Sequence, residues 1–116
     1  MKFSRLGEFE ELVLLTIGAL DDNAYSVSIK QELQKQTQRS PGIGALHSAL
    51  SRLEKKGFVS SYEGGATKAR GGRRKRYYQI TGAGKEALIA IHTIRNQLFN
   101  RIPGLGLSGF SGLTFG

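Results

Sequence analysis

Between Gly42 and Arg76 the hydrophobic period changes from that of a helix to that of a strand, and the rest of the chain is arranged around that stretch. Ile43, Leu46, Leu50 and Leu53 recur at helical spacing with Ala49 beside them, which makes one apolar stripe. At about 100° per residue the opposite side carries Gly44, Ser48, Ser51 and Lys55, flanked by Ala45, His47 and Arg52. Glu54, near one edge, is the one acid on that side. Such a helix is anchored from behind and presents a slim front, a shape that fits a groove as wide as the major groove of DNA. Gly57, after Lys55-Lys56, closes it as a C-cap with bases in the last turn. Phe58 to Glu63 then alternates as a strand, and Lys75 to Thr81 (KRYYQIT) is the best β-forming run in the sequence. Tyr62, Tyr77 and Tyr78 alternate on these strands, where core packing explains them better than base stacking. Gly64 to Arg74 lies between the strands, longer than a tight hairpin turn and containing Gly64, Gly65, Gly71 and Gly72. The pair therefore reads as a flexible, cationic wing.

Charge is concentrated in the same stretch. Residues 52–76 hold nine Lys/Arg against Glu54 and Glu63, net +7 of the chain's +8. The flanks nearly balance, with five bases and six acids over residues 1–39 and three bases and one acid over 77–116. A surplus confined to one segment is the footprint of a polyanion site, whereas an even surplus would bear only on solubility. A charge run is most often a solvated loop. Here six bases fall within residues 68–76, directly after a groove-sized helix, which favours contact with DNA. Lys68, Arg70, Arg73 and Arg74 sit at or near the wing tip, and Arg73 and Arg74 are best placed for phosphate or minor-groove contact. Lys75 and Arg76 lie in the second strand, where one of them points to solvent. On the helix, Ser48 and Arg52 are the favoured contacts, because the N-terminal half of a recognition helix reaches the bases. Serine both donates and accepts, so it discriminates bases poorly, and DNA shape has to carry part of any specificity.

The remaining elements follow in order. Phe9, Leu12, Val13, Leu15, Ile17 and Leu20 make a strongly apolar first helix from about Phe9 to Leu20, with Glu8, Glu10 and Glu11 at its positive end. Its apolar arc is wider than one stripe, which points to burial on two sides and to a second subunit. Asp21-Asp22-Asn23 breaks it. A second helix from about Tyr25 to Gln36 spaces Tyr25, Ile29 and Leu33 for burial, and Thr37 to Gly42 is the turn into the groove-facing helix. That arrangement is helix-turn-helix. Thr81 is placed to cap a last helix from about Gly82 to Ile102, which Pro103 terminates. Leu88, Ile91, Ile94, Leu98 and Ile102 form its stripe, interrupted by Arg95. At roughly 30 Å the helix is too long to bury that stripe on so small a body. Pairing with another copy through Leu12, Leu15, Leu88, Ile91, Ile94 and Leu98 is the expectation. The segments then divide into a winged helix-turn-helix over residues 1–81, a dimerisation helix over 82–102, and a glycine-rich tail over 103–116, disordered or loosely docked. The fold class expected is mainly α with a small β wing.

Composition excludes more than it proves. A length of 116 residues supports one modest core. The absence of cysteine excludes disulfides and thiolate metal sites. His47 and His92 have few acids near them in sequence, so no metal is expected, and no other cofactor is implied. The acids ahead of the first apolar run are the reverse of a secretory signal, and no 18-residue apolar stretch exists, so neither a membrane nor export is expected. An enzyme would need a nucleophile with its base, paired carboxylates, or a phosphate-cradling loop. Gly71-Gly72 leads into bases rather than into a helix start with Lys-Ser/Thr, so it is not a P-loop.

From about Leu6 to Leu98 the sequence resembles the PadR family of bacterial transcriptional regulators. The resemblance is carried by LVLLTIGAL, AYSVSIKQEL, GIGALHSALSRLEKKGFV and RRKRYYQITGAGKEAL, above all by the Tyr-Tyr-x-x-Thr-x-x-Gly pattern after a basic wing. The short C-terminus is similar to that of the smaller PadR subgroup, in which one helix dimerises. The resemblance implies a cytoplasmic homodimer that binds a near-palindromic operator in double-stranded DNA, usually represses, and is often released by a small-molecule effector. At positions 47 and 48 the family commonly has tyrosine followed by Pro or Ala, where this chain has His47 and Ser48. Multidrug-sensing members stack flat ligands on tryptophans; this chain has none, and that mode of induction is not implied. Two other readings stand beside the regulator: a sensor or interaction module acting through the dimer interface, and a non-specific nucleic-acid binder.

Overall fold

Three acids occupy the first turn of α1 (Glu8–Leu20), where unpaired backbone N–H groups favour negative charge. The computed structural model describes residues 6–64 and 75–106. The wing tip and its Lys68, Arg70, Arg73 and Arg74 lie outside the described residues, as does the end of the tail. In α1 the buried face is Val13, Leu14 and Ile17, while Leu12 and Leu15 remain 36% and 46% exposed. Leu14, absent from the sequence-based stripe, is fully buried. Thr16 sits among these apolar residues because its hydroxyl donates to the Leu12 carbonyl at 2.7 Å, leaving no unmet polar group. A 3-10 turn over Asp21–Asn23 follows, with Asp21 at φ 56°.

The helix α2 (Ser26–Thr37) starts one residue later than its periodicity suggests, because the Ser28 hydroxyl accepts from the Tyr25 N–H and donates to the Asn23 carbonyl. Ile29 and Leu33 are buried. Gln38 ends it in the left-handed conformation, at φ 63°, and returns its N–H to the Gln34 carbonyl. The helix α3 (Ile43–Lys55) buries Leu46, Ala49, Leu50 and Leu53. Ile43 departs from the expected stripe: it is the first residue of α3 and is 53% exposed. The body of the domain ends beside the first turn, beneath Leu46, and leaves about half of Ile43 open to solvent. Gly57, at φ 78°, reverses the chain after α3, and the Phe58 N–H reaches back to the Leu53 carbonyl.

Strands β1 (Val59–Gly64) and β2 (Lys75–Ile80) pair antiparallel, from Val59 opposite Ile80 to Gly64 opposite Lys75. The hairpin is sewn to the start of α2 by a bridge between Tyr25 and Tyr77 and by the Tyr78 N–H donating to the Ala24 carbonyl. The last helix, α4 (Gly82–Arg101), is capped as expected: Thr81 Oγ1 accepts from the Gly84 N–H at 3.1 Å and donates to the Gly57 carbonyl. A Cβ on Gly84 would overlap the Phe58 carbonyl oxygen, so glycine lets α4 rest directly on the chain reversal after α3. The Tyr-Tyr-x-x-Thr-x-x-Gly pattern thus has a local cause: Tyr78 enters the core, Thr81 caps, and Gly84 permits close approach. One core gathers α1, α2, α3, the base of the hairpin and Ala87 of α4. The result is mostly helical with one two-stranded sheet, a winged helix-turn-helix.

Candidate nucleic-acid interface

The outward side of α3 follows from which of its residues the core claims. With Leu46, Ala49, Leu50 and Leu53 inside, Gly44, Ala45, His47, Ser48, Ser51, Arg52 and Lys55 are all exposed. The first turn has no acid, and the last turn carries Arg52 and Lys55. The residues expected to share a face therefore do share it, and the face is open to solvent.

Two networks hold charges at its margins. Glu10 of α1 approaches the far end of α3: its Oε1 is 2.6 Å from Lys56 Nζ, and its Oε2 is 3.8 Å from Arg52 Nε. Arg52 is thus positioned from behind while its side chain remains 57% exposed. At the wing base, Arg76 Nη1 donates to Ser61 Oγ at 2.6 Å, and that hydroxyl donates to Glu54 Oε2 at 2.8 Å. The acid on the α3 edge is in this way occupied by a strand hydroxyl. Arg76, expected at the DNA surface, is exposed on its strand and joined to this chain of hydrogen bonds.

Of the wing tyrosines expected in the core, only Tyr78, which is 9% exposed, is found there. Burial raises the Tyr78 hydroxyl above its ordinary range, an effect opposed by Arg76 and reinforced by Glu54. Tyr62 and Tyr77 lie opposite each other on the other face, with stacked rings 5.7 Å apart. Tyr77 also meets Tyr25 edge-on at 5.5 Å, and Lys75 Nζ lies 4.0 Å over the Tyr25 ring. This ladder fastens the wing to the start of α2. The alternation of the strands signalled the outward ring, but not its partner on another element.

The residues expected at a dimer contact divide. Leu12, Leu15 and Leu98 are exposed, with Leu98 at 56%, and Ile94 is half-buried. Leu88 packs against the core from its edge, and Ile91, at 7%, is already buried within a single chain. The first half of α4 therefore does lie on its own domain, contrary to the expectation that the whole stripe needs a partner. Arg95, which interrupts the stripe, donates to Glu11 of α1 at 2.8 Å. Phe99, Ile102 and Leu105 extend the exposed apolar end, and Gly104, at φ 84°, turns the chain there.

His47 is exposed on α3, and His92 on α4 lies 3.2 Å from Asn96 Nδ2. Among the described residues no three His, Asp or Glu side chains gather as metal ligands would, and no helix is long and apolar enough to cross a membrane. A cavity of about 450 Å³ opens between the start of α1 and the end of α2, with Phe9, Leu12 and Leu33 as its apolar lining and Glu8, Thr37, Arg39 and Ser40 as its polar lining.

Comparison with known proteins agrees with this geometry. The model of the transcriptional regulator PadR-like family matches residues 14–90. A PadR-like transcription factor from Bacteroides fragilis is 26% identical, with 78% of this chain and 82% of that chain covered and a TM-score of 0.66. A PadR family transcription regulator from hypervirulent Clostridium difficile is 25% identical, with 78% and 97% covered and a TM-score of 0.60. RosR of H. salinarum, 23% identical over 84% and 80% of the two chains, shares the fold with a TM-score of 0.68. No curated protein matches the sequence.

Proposed function

This chain belongs to the PadR-like family of transcriptional regulators, and from that premise we propose that it is a homodimeric repressor of a near-palindromic operator. α3 enters the major groove, and Gly44, Ala45, His47, Ser48, Ser51, Arg52 and Lys55 face the DNA. Lys68, Arg70, Arg73 and Arg74 of the wing, with Arg76 at its base, clamp the flanking backbone. Residues 1–81 bind DNA and 82–102 assemble two copies, with Leu12, Leu15, Ile94 and Leu98 at the contact and 103–116 as an appendage. The half-sites then lie about one helical turn apart, on the order of 10 bp.

One observation carries the reading: the groove-facing side of α3 is solvent-exposed, and Glu54, the acid on its edge, is held by Ser61. Selection from a pool of random duplex DNA tests it. An enriched palindrome supports the regulator. Uniform, salt-sensitive binding would make the protein a non-specific nucleic-acid binder, and absence of binding would leave a sensor module.

The cavity beside the α2–α3 turn favours a further role, reception of a small effector. Leu12 lines it and is also a proposed dimer contact, so an occupant would act on assembly and on the turn ahead of α3 together. Equilibrium dialysis of candidate metabolites against the wild type and a Ser40→Trp variant, which crowds the cavity from its exposed rim, tests this. Equal binding to both would place the effector elsewhere.

A further inference from the structure

The first turn of α3 contains two residues that the protein's own interior does not explain. Ile43 is an aliphatic side chain left 53% exposed at the head of the helix. Gly44, beside it, is a weaker helix former than alanine. Yet a Cβ built on Gly44 meets no atom within 4 Å, so no packing inside the chain requires glycine there. With Ala45 following, the leading turn offers the outside a branched methyl surface, a bare backbone and one further methyl, with no charge and no hydrogen-bonding side chain. Hydrogen-bonding side chains on this face begin only at His47 and Ser48.

In the major groove one base carries an apolar group, the 5-methyl of thymine, and apolar side chains are its ordinary partners. The N-terminal residues of a recognition helix are those that reach base edges. We infer that Ile43 is a specificity-determining residue that reads thymine methyl groups, with Gly44 allowing the helix to approach closely enough for the contact. The inference rests on the proposed entry of α3 into the major groove and adds what it would recognise there. Ser48 and Arg52, further along the helix, then address neighbouring bases or phosphates. A single exposed aliphatic residue is common on protein surfaces; what sets this one apart is its position beside an internally unexplained glycine, at the edge where the buried stripe of α3 meets the proposed contact face.

The test uses the duplex enriched by selection, resynthesised with deoxyuridine in place of each thymine in turn, a change that removes only the methyl group. The wild type should lose about fourfold in affinity at one or more thymines of each half-site, the worth of burying one methyl group. Ile43→Ala, which leaves the core intact, should bind the thymine and deoxyuridine duplexes equally at those positions. Insensitivity of the wild type at every thymine, or an undiminished loss in Ile43→Ala, would overturn the inference while leaving the regulator reading intact. Failure of selection to enrich any sequence would overturn both.

Discussion

Glu10 places a carboxylate at the seam between α1 and the end of α3, only 11% exposed, with Lys56 at 2.6 Å and Arg52 at 3.8 Å. A charge-assisted hydrogen bond in this half-shielded position contributes modestly to stability. Glu10→Gln should lower the unfolding free energy by about 1–2 kcal/mol, measured by urea titration. No change would mean that the pair is fully offset by desolvation. Tyr78 gives a pH dependence of known sign. Its buried hydroxyl ionises above the ordinary 10.0 in the folded chain, so the unfolded chain releases that proton first. The contribution is complete below pH 10 and is lost as the pH rises through the folded value; Tyr78→Phe should flatten that part of the alkaline stability curve. At this scale the sequence was legible where periodicity governs, as at Leu46, Leu50 and Leu53. It misled at Ile43 and passed over Leu14. Spacing shows which residues share a face but not where the supporting body ends, and for Ile43 the body ends one turn short.

Among the elements, the wing and α3 are joined through more than the chain reversal at Gly57. The Tyr62–Tyr77–Tyr25 ladder ties the hairpin to α2, and Arg76–Ser61–Glu54 ties it to the edge of α3. Neither link was readable beforehand, because each joins segments whose register becomes known only once the sheet is paired. The order of the elements, by contrast, was legible, since Gly57, the strand alternation and the Thr81 cap are all local signals. If the wing clamps the backbone, replacing Arg73 and Arg74 together by alanine should weaken binding to all sequences alike. The salt dependence should then fall by about one unit in log–log slope for each phosphate that is no longer neutralised. An unchanged slope would remove the wing from the mechanism.

For the molecule as a whole, α4 meets two environments along its length. Ala87 and Ile91 are buried against the chain's own domain, whereas Leu98 and Ile102 remain 56% and 45% exposed. The stripe expected to face a second copy thus begins on the chain's own domain, and the helix leaves that support only beyond Ile91, in its third turn. Replacing Leu98 and Ile102 together by aspartate should leave the fold intact and halve the mass seen in light scattering. A variant still of dimeric mass would move the contact to Leu12 and Leu15. The overhang has an outcome for how a cell would use such a protein. Where pairing is weak, the number of operator-competent pairs follows the square of the number of molecules present. A cell that inherits half its parent's supply then keeps only about a quarter of the working pairs, so dosage itself becomes a control knob.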